Sequence, residues 1–394
     1  MGRMRETLHD ALRQTDAVLL ALCVASTLYG MVLIASATSF RGTLKYVAVQ
    51  GLGLLIGLVL YFFLSSIDIF ELAKKWKWLL GFNVGFLLLL LTPFGQTSGG
   101  NRAWLGVNSI GKKLGVDFLR YFPITVQPAE VVKVFFIVLL AYQLALLKDK
   151  RDLVRFENVI QPTAHTAFMV GLIIVISGDA GSALVYLFIF ICMVFAAGMA
   201  KRWLALGIGG GAAAFLAVWQ LDLLPGYMRD RFLAVLDHSY QPDDAGFQQT
   251  RGLMALGSGE LTGQGLFHGA QTQSSNVWSI PERQTDFIFS VCGEELGFLG
   301  CALIIVLLLA IVVRCLLVAR DAATPMESYV CVGMAGMLIF QTIANIGMCL
   351  FLMPVIGLTL PFFSYGGSSI VTLFAAMGIV SGVKKRSRPE WLTN

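Results

Sequence analysis

The chain has 394 residues, of which 57% are hydrophobic and only 13% charged, with a formal net charge of +5 and a mean hydropathy of +0.75. A soluble globular domain has about a quarter charged residues, so this composition excludes an ordinary soluble protein. Apolar runs of about 20 residues, the length that crosses a bilayer as a helix, recur along the whole chain. The sequence therefore predicts an all-α polytopic membrane protein that forms one integral-membrane domain over residues 1–394.

The cysteines and the charges give no sign of a metal site or a nucleic-acid partner. All seven cysteines lie inside apolar runs, and none forms a Cys-x-x-Cys pair, so we interpret them as small hydrophobic side chains. The positive charge is spread over many short loops, which indicates membrane topology and gives no support to nucleic-acid binding.

The predicted spans begin after a polar N-terminal segment of 16 residues. The apolar run from Ala17 to about Ala37 is longer than a signal-peptide core, so it predicts an uncleaved first span. Nine further apolar runs predict helices, which makes about ten transmembrane helices in all. These runs lie at about 44–65, 78–95, 128–147, 162–177, 181–200, 203–219, 286–318, 328–353 and 366–383.

An even number of spans places both termini on one side of the membrane. With that side inside, 18 Lys and Arg residues fall in cytoplasmic segments and 10 in outer segments. Because cytoplasmic loops carry an excess of Lys and Arg, we expect residues 1–16 to be a cytoplasmic N-terminus and 384–394 a cytoplasmic tail.

Two outer loops are long, at about 96–127 and about 220–285, the second between spans 7 and 8. Loops of this length in compact proteins are usually functional or disordered. The extracytoplasmic loop 220–285 is rich in Leu, Phe, Gly and Trp, so we expect part of it to lie on the membrane or to re-enter it.

Ionisable residues inside or at the mouth of a span are informative, because a charge in lipid is costly. Glu130 and Lys133 are three residues apart, on one face of a helix that opens at Pro128. They form either an intrahelical ion pair or a charged wall of a water-filled cavity. Asp179 lies in a tight Gly-Asp-Ala-Gly turn, where a purely structural role is the favoured alternative.

Asp286 lies at the outer mouth of the eighth span, at the end of the longest loop. One interpretation is a helix N-cap. Its neighbours Glu282 and Arg283 favour a functional site that meets a polar substrate. Glu294 lies two turns deeper and could line the same cavity; we expect Glu294 or Glu295 to be neutral or paired with a cation such as Lys133. A structural polar clamp is an equally good alternative for these two acids.

Four sequence blocks, in order, cover nearly the whole chain: Asn101–Leu105, Gln127–Lys133, Ala255–Phe298 and Asn345–Ser369. They resemble the blocks of the SEDS family (shape, elongation, division and sporulation), the group of RodA, FtsW and SpoVE, and their spacing is similar to the family's. The ten spans also fit this family.

The resemblance implies a glycosyltransferase of the bacterial cytoplasmic (inner) membrane. Such a protein polymerises lipid II, a disaccharide-pentapeptide on undecaprenyl pyrophosphate, into peptidoglycan strands among membrane lipids, usually beside a class B penicillin-binding protein. By resemblance, Asp286 matches the family's essential outer-loop aspartate and Glu130 with Lys133 the polar pair of the fourth span. Trp104 matches a functionally important tryptophan and Asp179 the turn aspartate.

The chain departs from the family pattern at several positions. Gln284 replaces the usual His before the Thr-Asp pair, Arg251-Gly252 replaces Gln-Ser, and Gly178 replaces the Pro before the turn aspartate. The first outer loop has about a dozen extra residues around 112–122. None of these changes removes a candidate catalytic group.

The chemistry requires a base that deprotonates the acceptor 4-hydroxyl, and we assign Asp286 to that role. The pyrophosphate needs cations, for which the candidates are Lys133, Arg102, Arg251, Arg283 or a divalent ion. We predict no metal site of the protein itself. Ser368, in the Gly366–Ser369 run before the last span, lies either in a cavity wall or in a packing contact.

Two rival functions stay open at this stage. A flippase for a lipid-linked precursor would also use intramembrane charges, although it needs access from both sides. A non-catalytic scaffold for a penicillin-binding protein would leave the buried acids without a purpose. The motifs do not distinguish elongation, division and sporulation roles, and they do not specify the partner synthase.

Overall fold

The computed structural model describes residues 15–387, apart from 99–100, 107–124, 151–152, 154, 223, 239, 241–245 and 277–278. The extra residues predicted around 112–122, and most of both predicted terminal segments, lie outside the described residues. The described helices are α1 (Ala17–Ser39), α2 (Lys45–Ser65), α3 (Ile69–Lys74), α4 (Trp76–Leu88, extended by a 3₁₀ turn at Leu89–Leu91), α5 (Pro128–Lys150), α6 (Phe156–Ser177), α7 (Ala180–Ala196), α8 (Lys201–Gln220), α9 (Gly226–Leu236), α10 (Phe247–Ser258), α11 (Ile288–Arg320), α12 (Pro325–Cys349) and α13 (Gly367–Arg386).

Ten of the described helices occupy the ten predicted span positions. Eight of them, α1, α2, α5, α6, α8, α11, α12 and α13, are long and apolar enough to cross a membrane, and α4 and α7 are shorter apolar helices. At 1.5 Å per residue, about 20 residues match the hydrocarbon core. The chain is thus a multi-pass membrane protein, and the predicted all-α fold class is confirmed.

The two ends of the helix bundle carry different segments of the chain. The end that carries Asp16, before α1, and Lys384, in the last turn of α13, is called here the terminal face. The opposite end, called the loop face, carries the connection between α8 and α11, which contains α9 and α10. The first turns of α5 and α7 also lie at the loop face, so Glu130, Asp179 and Asp286 are at the same end of the bundle.

The loop face also contains a small antiparallel sheet that the sequence analysis did not predict. Its strands are β1 (Gly95–Ser98), β2 (Asn101–Gly106) and β3 (Thr125–Val126), in the order β1-β2-β3. The strands are short and contain Gly, Asn and Ser, so alternation of apolar and polar residues gives little signal. The sheet places the segment with Arg102 and Trp104 beside the start of α5.

Small residues allow α2 and α13 to pack closely. A Cβ atom on Gly378 would lie 2.6 Å from the backbone oxygen of Tyr61, and one on Gly382 would lie 2.8 Å from that of Ser65. Close backbone approach through small residues is the usual way that membrane helices associate. The last span is therefore held against the second one along most of its length.

The helix α11 is broken at Gly297, where φ is 64° and ψ is −160°. The backbone near this break bonds to the preceding loop segment: Phe298 N donates to Glu260 O at 2.9 Å, and Gln264 N donates to Glu294 O at 2.9 Å. Broken helical backbone inside a membrane protein requires such partners. Residues 260–265 of the long loop thus pack against α11 within the bundle.

A buried carboxylate joins three spans at the terminal face. Asp16 is fully buried, and its carboxylate accepts hydrogen bonds from Arg314 Nε of α11 at 2.8 Å and from Lys384 Nζ of α13 at 3.0 Å. Leu19 N also donates to it at 3.3 Å, which caps α1. Burial alone raises the pKa of Asp16, but the hydrogen bonds from the two cations outweigh burial and hold it below its usual range.

The cysteines agree with their prediction as small hydrophobic residues. All seven are free thiols, and six of them are buried, with Cys192 half-buried.

Candidate active site

Asp286 lies in the turn of residues 281–287 that precedes α11. The backbone of this turn is bound by the segment just before α13. Ser364 Oγ donates to Thr285 O at 2.5 Å, and Tyr365 N donates to Gln284 O at 2.9 Å. The segment just before α13 thus fixes the residues next to the candidate base.

Asn345 of α12 holds Asp286 itself. Its Nδ2 donates to Asp286 O at 2.9 Å and to Leu358 O at 2.7 Å, and the side chain is fully buried. Cys349 Sγ, one turn later on α12, also donates to Asp286 O at 3.6 Å. Sequence reasoning placed Asn345 in a family-like block but assigned no role to it; the structure shows it as a positioning residue.

We expect Asn345→Leu to lower kcat for the proposed polymerisation by about tenfold to a hundredfold, since small displacements of a reacting group are costly. The loss should fall on kcat more than on KM, because Asn345 acts through the backbone of Asp286. Steady-state kinetics on the purified protein checks this. Thr342→Val on the same helix, which removes a hydroxyl without a partner among the described residues, is the matched control. Wild-type kcat in Asn345→Leu would contradict the positioning role.

The carboxylate of Asp286 is free to act on another molecule. It makes no hydrogen bond or ion pair with the described residues. The residue is half-buried, so another molecule can reach it. The N-cap of α11 is Phe287, without a side-chain cap, so the helix-cap interpretation of Asp286 is wrong. A Cβ atom on Gly357 would lie 3.9 Å from Asp286 Oδ2, which places the carboxylate against the segment between α12 and α13.

The surroundings of Asp286 favour its protonated form. Burial, followed by the negative charge of Glu282, raises the pKa of Asp286 to about 7. Asp179 acts in the same direction, and the positive charge of Arg231 opposes them. A pKa near the working pH suits a general base, because the group is then both available and basic.

The residues around Asp286 in the same turn have structural tasks. Glu282 has a left-handed backbone with φ of 43°, and its carboxylate accepts hydrogen bonds from Gln284 Nε2 at 3.3 Å and Thr285 Oγ1 at 3.2 Å. Gln284, which replaces the family's usual His, therefore orients Glu282 in this chain.

Arg283 organises the loop and is not a free cation. Its guanidinium donates to the backbone oxygens of Gln271, Thr272, Ser274 and Ile280 and to Ser279 Oγ. It also lies over the ring of Phe40, 4.1 Å from the centroid. The prediction that Arg283 holds pyrophosphate does not fit this conformation, because most of its donors are already used by the loop.

Glu294 forms a clamp for the long loop. Its carboxylate accepts hydrogen bonds from Gln271 N and Thr272 N, both at 2.7 Å, and from Thr272 Oγ1 at 2.6 Å. This is the structural alternative that the sequence analysis left open.

Glu295 extends the clamp to α1. It accepts hydrogen bonds from Ser36 Oγ at 2.5 Å and from Gln273 Nε2 at 2.7 Å. Lys133, the example given of a cation that could pair with one of these acids, bonds Glu130 Oε1 at 2.6 Å instead.

The second polar cluster lies at the starts of α5 and α7. Glu130 and Lys133 form a buried ion pair, with Lys133 only 1% exposed. Asp179 caps α7: its oxygens accept from Ser182 N at 2.9 Å and Ser182 Oγ at 2.7 Å, and from Gln127 Nε2 at 3.0 Å. Asp179 thus performs the turn role expected of it and also lies close enough to Asp286 to affect its pKa.

Three further predicted site residues lie on β2 and in the first turn of α13. Arg102 Nη2 donates to Thr92 O at 2.9 Å, and Trp104 is half-buried on β2 opposite Gln96. Ser368 is half-buried in the first turn of α13, where its backbone oxygen accepts from Thr372 Oγ1 at 2.8 Å. The neighbouring Gly367 packs against Val49 of α2, which agrees with the packing alternative for this run.

No group of three or more His, Cys, Asp or Glu side chains that could hold a metal ion lies within the part of the chain that the structure describes. The carboxylates near Asp286 are engaged with Gln284, Thr285, Gln127 and Ser182. The arrangement can therefore accept a proton on one free carboxylate, but it does not form a cage for a metal.

The fold and the site together define a multi-pass membrane protein with a carboxylate-centred site at one end of its bundle. The model of the cell cycle proteins of the FtsW, RodA and SpoVE type matches residues 16–389. The chain belongs to this family, and the resemblance to SEDS proteins is confirmed.

Individual relatives are similar in sequence to this chain over most of their length. A probable peptidoglycan glycosyltransferase FtsW of Geobacter sulfurreducens is 34% identical over 379 residues, 94% of this chain and 95% of that protein. The stage V sporulation protein E of Bacillus subtilis is 33% identical over 336 residues, 84% of this chain and 85% of that protein.

Solved structures show the same architecture. A chain from a study of the structural coordination of polymerization and crosslinking by a peptidoglycan synthase complex has a TM-score of 0.75 and 31% identity, covering 95% of this chain and 99% of that chain. The rod shape determining protein RodA of Thermus thermophilus has a TM-score of 0.67 and 28% identity, covering 95% and 98%.

Proposed function

We propose that this protein is a peptidoglycan glycosyltransferase that polymerises lipid II into glycan strands, with Asp286 as the general base. The observation that carries the proposal is the free carboxylate of Asp286, raised in pKa to about 7 and held by its backbone at the loop face. Family membership and the relative named as a glycosyltransferase support the reaction class.

In the proposed reaction, Asp286 takes up a proton and the lipid diphosphate is the leaving group. Asp286 accepts the proton of the acceptor sugar's 4-hydroxyl while that oxygen forms a bond to the anomeric carbon of the donor. The bond from that carbon to the lipid diphosphate breaks, and the diphosphate leaves with the electron pair. Pyrophosphate needs charge neutralisation more than a proton, so one carboxylate base is enough. A divalent cation would be bound mainly through the diphosphate oxygens.

We also propose that the loop face is the outer side of the bacterial cytoplasmic membrane and that both termini are cytoplasmic. The support is the excess of Lys and Arg in segments of the terminal face, 18 against 10 in the sequence. A class B penicillin-binding protein is the proposed partner, since a similar chain was solved in a peptidoglycan synthase complex.

The test is polymerisation of labelled lipid II by the purified protein with its partner synthase, measured as a function of pH. Because Asp286 must be ionised to accept a proton, and its pKa is raised to about 7, we expect the rate to rise about tenfold per pH unit below 7 and to level off above it.

A wild type that folds, has its partner and makes no polymer would overturn the proposed function and favour a flippase or a scaffold. A rate that does not change between pH of about 5 and 8 would contradict the assignment of Asp286 and leave the enzyme class standing. A second lipid-linked substrate without a free 4-hydroxyl is the control for the direction of transfer, because it can serve as donor only.

A further inference from the structure

The diphosphate of the proposed donor needs a cation close to Asp286, and the structure engages most of the cations that the sequence suggested. Lys133 is buried against Glu130, and the donors of Arg283 are bound to loop oxygens. Arg102 donates to Thr92 O. Arg251 lies over the ring of Phe247, 5.6 Å from its centroid. Of the described cations, Arg231 is the one whose charge acts on Asp286.

Arg231 of α9 is in the right place for this task. Its Nη1 donates to Val355 O at 2.8 Å. Two residues further along the same segment, a Cβ atom on Gly357 would lie 3.9 Å from Asp286 Oδ2. The guanidinium thus bonds, and the candidate base lies beside, the same short stretch of backbone, residues 355–357.

This stretch also contacts the start of α7, since a Cβ atom on Gly181 would lie 2.4 Å from Ile356 O. The charged groups that act on Asp286 come from three elements: Glu282 from its own turn, Asp179 before α7 and Arg231 from α9. Arg231 is the cation among them, so an incoming dianion that approaches Asp286 is attracted to Arg231 and repelled by the acids.

Arg231 also has the donors that a phosphate requires. Only Nη1 bonds a described residue, and the side chain is half-buried beside the ring of Tyr227, 5.9 Å from its centroid. Its Nε and Nη2 groups are free of described partners and can form the paired, charge-assisted hydrogen bonds that arginine makes with phosphate oxygens. The bond to Val355 O orients the guanidinium before any ligand arrives.

We propose that Arg231 binds the diphosphate of the lipid-linked donor beside Asp286. The identity of the donor lipid rests on the proposed function. The binding of a diphosphate by Arg231 does not depend on it. In the reaction, Arg231 stabilises the negative charge that grows on the diphosphate as its bond to the sugar breaks.

The experiment compares Arg231→Gln and Arg231→Lys with Arg229→Gln. Arg229 is on the same helix and forms an exposed ion pair with Asp222, so it is the matched control. We measure the affinity of the purified, folded proteins for inorganic pyrophosphate and for lipid II. Arg231→Gln should weaken both affinities about tenfold or more, as expected for lost hydrogen bonds to a charged group. Arg231→Lys should recover part of the loss, and Arg229→Gln should bind like the wild type.

A second measurement uses the unmodified sequence and so does not depend on the folding of a variant. Phenylglyoxal modifies accessible arginines, and pyrophosphate should protect Arg231 but not Arg229, as read by peptide mass spectrometry. Unchanged pyrophosphate affinity in Arg231→Gln, or no protection of Arg231, would overturn the inference. A wild type that binds pyrophosphate through Arg231 but makes no polymer would retain the inference and reject the proposed function.

Discussion

We expect Asp286→Asn to lower glycan polymerisation by about 10²–10⁴, the usual contribution of a positioned general base. The amide has almost the shape of the carboxylate but cannot accept the proton of the acceptor hydroxyl. Because the carboxylate makes no hydrogen bond with the described residues, and the backbone contacts of Asp286 with Asn345 and Cys349 do not involve the side chain, the variant should keep its fold. The measurement is the rate of polymer formation from labelled lipid II with the partner synthase present.

Asp222→Asn is the matched control for this substitution. Asp222 is an exposed carboxylate in the same connection between α8 and α11, and its φ of 55° lies in a region that Asn adopts readily. It should polymerise lipid II like the wild type. The variant of Asp286 should also lose the dependence of rate on pH near 7, and it should retain lipid II binding. Equal polymer from wild type and Asp286→Asn would remove Asp286 from the reaction.

We expect Asp16→Ala to destabilise the folded protein by about 3 kcal/mol, the lower end of the cost of breaking a buried ion pair. The substitution leaves Arg314 and Lys384 facing each other without their common anion, and it removes the cap of α1. The lower end of the range applies because both cations are about a quarter exposed. The free energy of unfolding in detergent, obtained from denaturant titration, checks the value.

The control for Asp16 is Asp321→Ala, which breaks an exposed pair with Arg320 at the same face and should change stability little. The wild-type contribution of Asp16 should also depend on pH. Since the hydrogen bonds of its cations hold the pKa of Asp16 below its usual range, its stabilisation is present at neutral pH and is lost as the pH falls through that lowered pKa. A loss of stability in Asp16→Ala no larger than in Asp321→Ala would contradict the clamp.

The spans and the candidate base could be predicted from the sequence because both depend on local patterns. Hydrophobic runs define spans by length alone, and Asp286 stands out as a carboxylate at the mouth of such a run. The neighbours of Asp286 could not be predicted in this way. Arg231, Asn345 and Gly357 come from three separate segments, and hydrophobic periodicity does not say which segments meet.

The roles of Glu294 and Glu295 show the same limit. From the sequence, we expect one of these adjacent acids to be neutral or paired with a cation such as Lys133, with a structural clamp as an equally good alternative. The structure satisfies the acids with loop N–H groups and the hydroxyl groups of Thr272 and Ser36. A backbone N–H donor is present in every residue except proline, so the sequence does not indicate which donors will be used.

The break at Gly297 separates the first part of α11, which begins next to Asp286, from the rest of the helix. From Gly297 to Ile288 the helix is about 14 Å long, so a rotation of about 10° at the glycine would shift its far end by roughly 2 Å. That shift is comparable to the difference between a hydrogen bond and no contact. The backbone bonds of residues 260–265 to α11 on both sides of the break therefore resist this rotation, and the long loop helps to fix the position of Asp286.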